Sequence, residues 1–183
     1  MAEKNYPKEM TIGGEKFTLR FMERKDRDSM IGFTSKMNEA DLWFMRRDIT
    51  KPEAIDDWIH EIETDRAKTL LVEHNDQIVG YGTIYYNQLF WNRHIAEMRV
   101  MVSSAYRGRG LGQKLARELT QLAKDMGLEK VMVHMAADDK AAQRMVDYLD
   151  FKPAAILADW IKTRDDRTHD LLIMSTDLKE LNS

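Results

Sequence analysis

The sequence predicts an α/β fold, a single domain whose mixed, mostly antiparallel central sheet of about seven strands is flanked by about four helices. Three observations predict it. Alternating, β-branched and aromatic runs recur along the chain, and turn residues join them in pairs, as antiparallel hairpins require. Amphipathic runs with helical spacing separate those pairs. One apolar strand passes through a glycine loop into a long amphipathic run and out into a short buried strand, which is the pattern of a single parallel crossover. A length of 183 residues suits one domain with a sizeable core and is short for two.

The elements follow in order. Gly13-Gly14 forms a hairpin turn leading into "EKFTLRFM", where Phe17, Leu19 and Phe21 alternate with polar residues as in a strand. Residues 1–15 are therefore read as an N-terminal extension and hairpin, and residues 16–183 as the domain proper. Helical spacing covers Arg27–Met37 and returns from Pro52 to about Thr64, with Pro52 suited to a first helical turn. The stretch "LLVEHNDQIVGYGTIYYN" reads as a hairpin turning at Asn75-Asp76, and "HIAEMRVMV" as the next strand. A strong helix comes after the glycine loop: Leu111, Leu115, Leu119, Leu122 and Met126 share one face, and Gly127 suits a C-cap. "KVMVHM" is a short buried strand, Asp138 or Asp139 can cap a helix reaching about Tyr148, and "AAILADWIKT" with "THDLLIM" closes the sheet as a hairpin around "RDDR".

Composition narrows the function. Hydrophobic residues make up 43% and charged residues 32%, ordinary for a globular protein, and a net charge of -3 gives no basic field for nucleic acid or membrane. No apolar stretch reaches the length of a membrane span and "MAEKNYPKEM" has no signal-peptide pattern. The chain has no cysteine, which removes disulfides, thiolate metal sites and a cysteine nucleophile, and fits a reducing cytoplasm. The five histidines, His60, His74, His94, His134 and His169, have no metal-ligand spacing, so no metal is expected.

The chemistry concentrates in "YRGRGLG", Tyr106 to Gly112. Glycine is costly in regular structure, and the arginines suggest an anion. A strand that enters a glycine loop and leaves as a helix presents bare N–H groups and the positive end of the helix dipole to such an anion. A P-loop needs Lys and then Ser or Thr after its last glycine, and Gln113 stands there instead. A dinucleotide fingerprint needs G-x-G-x-x-G within repeated βαβ units, whereas the glycines here are Gly108, Gly110 and Gly112 after antiparallel strands. A tight turn with solvated arginines remains the plain alternative.

"VMVSSAYRGRGLG" followed by an amphipathic helix resembles the Gcn5-related N-acetyltransferase (GNAT) superfamily, whose acyl-coenzyme A motif is Arg or Gln, two residues, Gly, one residue, then Gly or Ala. Arg107, Gly110 and Gly112 meet it, and the element order matches from about Phe17 to Met174. The resemblance implies acetyl transfer from acetyl-coenzyme A to a primary amine of a small molecule or protein. It implies that Arg107, Gly108, Arg109, Gly110, Leu111 and Gly112 cradle the coenzyme pyrophosphate, and that Val100, Met101 and Val102 hold the pantetheine arm through main-chain hydrogen bonds. A non-catalytic acyl-coenzyme A sensor and a module binding another nucleotide are the rival readings. Oligomeric state is left between monomer and homodimer.

Amine acylation needs a proton acceptor, because an amine with a pKa of about 10.4 is neutral in only roughly one molecule in 2,500 at pH 7. Glu97, on the strand expected to deliver the thioester, is the candidate base; its alternatives are pairing with Arg99 or Arg93, or facing water. Many relatives carry a tyrosine acid in the late helix. Here Val146 stands in that place, and Tyr148, two residues on, is turned by about 200° around the axis. Asp139 replaces the asparagine common at that helix start, and Asp150 a glycine before Phe151. His169-Asp170 reads as a structural pair. Tyr85, Tyr86, Phe90 and Trp91, with Trp43 and Phe44, either line an acceptor pocket or pack the core, and the thirteen methionines read as core filling.

Overall fold

The computed structural model of the chain describes residues 5–42, 45, 47–163 and 165–179. Eight strands run in chain order as Lys8–Ile12 (β1), Glu15–Phe21 (β2), Ala67–His74 (β3), Gln77–Tyr85 (β4), Ile95–Val102 (β5), Lys130–Ala136 (β6), Lys152–Lys162 (β7) and Thr168–Asp177 (β8). The helices are Arg27–Thr34 (α1), Glu39–Leu42 (α2), Pro52–Glu63 (α3), Leu111–Asp125 (α4) and Lys140–Asp147 (α5). The strands form one sheet in the order β1-β2-β3-β4-β5-β6-β8-β7. Every neighbouring pair is antiparallel except β5 with β6, which α4 joins as the expected crossover; a second, unexpected one runs through α5, which carries the chain from β6 past β8 to β7 at the sheet edge, parallel to β6.

The fold class is the one the sequence predicts, with one strand and one helix more than expected. The hairpin at Gly13-Gly14 does have a first arm, β1, which pairs with β2 from Lys8↔Leu19 to Ile12↔Glu15. Its only strongly apolar residues are Met10 and Ile12, too few for an alternating signal. The extra helix, α2, is a single turn, too short to show a period. Helix α1 ends at Thr34 rather than continuing to Met37, where hydroxyls compete for the backbone: Thr34 Oγ1 donates to the Met30 carbonyl (3.0 Å) and Ser35 Oγ to that of Gly32 (3.1 Å). The Asn75-Asp76 turn has both residues left-handed, at φ 50° and 59°, which matches the twist of a tight hairpin.

Two apolar clusters cover the two faces of the sheet. On one face Leu115, Leu119 and Ala123 of α4 pack on Ala96, Met98, Val131 and Val133. On the other, α1 and α3 bring Met30, Ile55, Trp58 and Ile59 over Leu71 and Tyr81. Side chains on β5 therefore alternate: Ala96, Met98 and Val102 belong beneath α4, while Glu97, Arg99 and Met101 stand on the opposite face.

Helix α4 lies so close to the sheet that only a glycine fits beneath it at Gly82. A Cβ there would come within 2.4 Å of Leu119 Cδ1 and 3.1 Å of Leu115 Cγ. Both leucines are fully buried at 0% exposure, so neither can turn aside into solvent. Gly82→Ala should therefore destabilise the chain by about 1–3 kcal/mol, the range for overpacking a filled core. Urea denaturation checks this: the midpoint should fall at constant slope, and a wild-type midpoint would show that α4 moves aside at no cost.

Candidate functional site

The geometry of the site begins where the sheet opens. Strands β5 and β6 pair in register only through Ile95↔Lys130, Ala96↔Val131 and Glu97↔Met132. Beyond Glu97 they diverge, and a cleft of about 580 Å³ lies there, walled by Val100–Val102 on one side, Val133–Met135 on the other and Gly108 and Gly112 at its end. The bond from Ser103 N–H to the Val79 carbonyl (2.9 Å) fixes the alternation of the β4–β5 ladder. The main-chain groups of Met101 and Arg99 consequently face β4, and those of Val100 and Val102 face the open side. Of the three β5 residues expected to offer main-chain hydrogen bonds, Val100 and Val102 are turned to do so; Met101 contributes its side chain to the wall.

The loop Arg107–Gly112 closes one end of this cleft. Gly108 (φ 74°) and Gly110 (φ 85°) are left-handed, a conformation that side chains oppose. A Cβ at Gly108 would meet nothing within 4 Å, and one at Gly110 only Gln113 Oε1 at 3.9 Å, so the bare faces look onto open space. Gly112 is bare for a different reason. A Cβ there would lie 3.2 Å from Met145 Sδ, so the glycine lets α5 approach α4. Leu111 is buried (1% exposed) and offers the site only its main chain. Gly110 caps α4, whose first turn has no acidic residue, so the N–H groups and positive dipole end of the helix meet no carboxylate of that turn.

The arginines of the loop are used otherwise than their density suggests. Arg107 Nε donates to the Val102 carbonyl (2.8 Å) and its Nη2 to Asp41 of α2 (2.7 Å). Arg109 Nη1 pairs with Glu15 (2.6 Å) and its guanidinium stands 5.4 Å from the Tyr106 ring centroid. Both cations hold the loop to neighbouring elements. The bare surface of the loop is that of Gly108 and Gly110.

Glu97 lines the cleft and is 7% exposed. Of the alternatives left by the sequence, the structure shows the pairing with Arg99: Oε1 accepts from its Nε (3.0 Å) and Nη2 (2.7 Å). His134 of β6 reaches the same oxygen from across the opening, with Nδ1 at 3.6 Å. Asp139 caps α5, accepting from the amides of Ala141 (3.0 Å) and Ala142 (2.9 Å), and also lines the cleft.

Val146 is fully buried, and Tyr148 lies on α4, where its hydroxyl donates to the Gln113 carbonyl and its ring carries the Arg117 guanidinium at 5.3 Å. Burial raises the pKa of the Tyr148 phenol, and this packing role matches the expected rotation away from the site. His169 Nδ1 meets Asp138 Oδ2 at 3.0 Å, joining β8 to the turn after β6. The aromatic group does not form one pocket wall. Tyr86 is buried with its hydroxyl donating to Asp65 (2.6 Å), while Phe90 and Trp91 are 60% and 83% exposed on the β4–β5 loop. Trp43 and Phe44 lie outside the described residues.

Sequence reasoning missed Asp41, His134 and Gln113 as cleft residues. Asp41 and His134 carry no spacing signature, and only tertiary pairing brings them to the site. Gln113 could have been found as the residue that follows the last glycine. Among the described residues no group of His, Asp or Glu is arranged to hold a metal ion, and no helix is long and apolar enough to cross a membrane.

Residues 36–151 match the family model described as the Acetyltransferase (GNAT) family. YwnH from Bacillus subtilis (strain 168) is 20% identical over 168 residues, spanning 88% of this chain and 99% of the relative. An N-acetyltransferase from Staphylococcus aureus Mu50 superposes with a TM-score of 0.77 at 17% identity, over 88% of this chain and 98% of that one. YncA from Salmonella typhimurium, solved with acetyl-CoA, gives 0.76 at 24% identity over 91% and 96%. A spermidine N-acetyltransferase from Vibrio cholerae, solved with CoA and spermine, gives 0.75 at 17% identity over 90% and 96%. These structural likenesses show a shared fold.

Proposed function

Because the chain belongs to the GNAT acetyltransferase family, we propose that it transfers an acetyl group from acetyl-coenzyme A directly to a primary amine of a small molecule or protein. The observation that carries this reading is the opening between β5 and β6 that ends on a loop bared by left-handed glycines. The residues fit the cosubstrate. Amides at the start of α4 and the bare faces of Gly108 and Gly110 suit a pyrophosphate, and the outward main-chain groups of Val100 and Val102 suit the amides of a pantetheine arm. Arg107 and Arg109 support the loop through Asp41 and Glu15.

Bound there, acetyl-coenzyme A supplies a thioester already activated toward nucleophiles. A main-chain N–H near Val102 is the fixed donor for the negative charge that builds during transfer. Glu97 places a carboxylate beside the transfer point, where the incoming ammonium must lose a proton. The cleft also takes in Ala40, Asp41 and Met45, so the segment after α1 forms part of the wall an acceptor would meet.

The test is free thiol release from acetyl-coenzyme A with a panel of polyamines, amino acids, small amines and peptides. Turnover with at least one amine is expected; binding of coenzyme A without turnover on any of them would leave a binding protein and end this reading. Kinetic order gives a second check. A chain without cysteine has no thiol to carry the acetyl group, so both substrates should be bound together before transfer. Double-reciprocal initial-rate lines should intersect, and parallel lines with a trapped acetyl-enzyme would refute direct transfer.

A further inference from the structure

We propose that His134 is a catalytic residue of this site: its imidazole takes the proton from the incoming amine, and Glu97 is the positioning residue that orients it. The inference rests on the acetyl-transfer reading. Its basis is the divergence of β5 and β6. Glu97 is the last residue of the parallel ladder, opposite Met132. His134 stands two residues further along β6, on the same face as Met132, and reaches back so that its Nδ1 lies 3.6 Å from Glu97 Oε1. Catalytic hydrogen bonds are often long before substrate binds, and this one is within reach of closing.

The division of labour follows from what each group already does. Glu97 Oε1 accepts two hydrogen bonds from one guanidinium and the residue is 7% exposed. That oxygen is thereby occupied in holding the guanidinium at the cleft wall. The His134 side chain is 25% exposed and lines the cleft, so its ring is the more accessible of the two. Glu97, paired with Arg99, faces it from β5; its register neighbour on β8 is Ile173, which carries no charge, and Asp139, just beyond β6, caps α5 through Oδ1. An Nδ1–H directed at a carboxylate leaves Nε2 as the accepting nitrogen.

The step balances as follows. Acylating an ammonium releases two protons. Nε2 takes the first, freeing the nitrogen lone pair that bonds to the acyl carbon, and Glu97 stabilises the imidazolium. As the carbon–sulfur bond breaks, the imidazolium returns that proton to the departing sulfur, and the second proton leaves the new amide nitrogen for water. One residue thereby also supplies the acid that Val146, buried in the late helix, cannot be.

Three measurements test this. With an amine found in the panel, His134→Gln should lower kcat at pH 7 by about 10²- to 10⁴-fold, the range of general acid–base catalysis, with coenzyme A affinity unchanged. His134→Ala should regain turnover when free imidazole is added, which a merely structural histidine would not allow. Nitrogen NMR of ¹⁵N-histidine-labelled protein, independent of activity, should find His134 with its proton on Nδ1, and Glu97→Gln should weaken that preference. Wild-type kcat in His134→Gln, no response to imidazole, or a proton held on Nε2 in the wild type would each overturn the proposal. A wild-type chain that binds coenzyme A and acetylates no amine would end the acetyl-transfer reading instead, and the catalytic role with it, whatever the tautomer shows.

Discussion

Gly110→Val should raise the dissociation constant for coenzyme A on the order of 10²-fold and leave the chain folded. The magnitude comes from the bonds at stake. A hydrogen bond to a charged group contributes about 1.5–3 kcal/mol, and a branched side chain over the loop should block one or two of those made by the amides behind it; each 1.4 kcal/mol is about tenfold in affinity. The packing around Gly110 allows the substitution, since its Cβ would meet only Gln113 Oε1 at 3.9 Å. The cost to the fold is backbone strain at φ 85°, about 1–3 kcal/mol for a non-glycine residue. Gly127→Val is the matched control. Gly127 has φ 78° and a Cβ there would meet nothing within 4 Å, so it bears a similar strain at the other end of α4, about 20 Å from the loop. Calorimetric titration of both variants should show weakened binding in Gly110→Val alone. Equal affinity in the two would remove the loop from the binding site, and equal losses would trace the effect to α4.

The glycine loop was the most legible part of this site because left-handed backbone needs glycine, and glycine is visible in a sequence. The reason for each glycine was not. Gly108 and Gly110 answer to φ, Gly112 to the sulfur of Met145, and sequence alone treats them alike. The arginines misled in the same way. Their partners Asp41 and Glu15 lie 66 and 94 residues away, so no local pattern shows that both cations are already paired. The Glu97–Arg99 pair was readable as one of several options, since residues two apart on a strand share a face. His134 was invisible as a site residue because its proximity to Glu97 exists only in the parallel register of β5 on β6. The sheet itself was legible from alternation and turn chemistry, while β1 and the single turn of α2 were too short or too polar to register.

Glu97→Gln should lower turnover at neutral pH by at least about tenfold, a floor beneath the range of acid–base catalysis, with little change in coenzyme A affinity. The substitution keeps the shape of the side chain and removes the negative charge beside the transfer point. Without that charge the imidazolium of His134 loses its counter-ion, and the amine loses its proton less readily. Raising the pH should restore the rate, because below its pKa of about 10.4 an amine becomes roughly tenfold more neutral for each pH unit. The variant also strips Arg99, whose side chain is 14% exposed, of its carboxylate partner. Breaking a buried pair in this way can cost about 3–5 kcal/mol, so a fall in activity has to be separated from a fall in stability. The double variant Glu97→Gln with Arg99→Met removes the uncompensated charge. If it regains the melting temperature and still lacks turnover at neutral pH, the lost function belongs to the carboxylate. A folded Glu97→Gln protein that turns over normally would reduce Glu97 to the partner of Arg99. Loss of coenzyme A binding together with activity would instead place its role in holding β5 straight along the cleft.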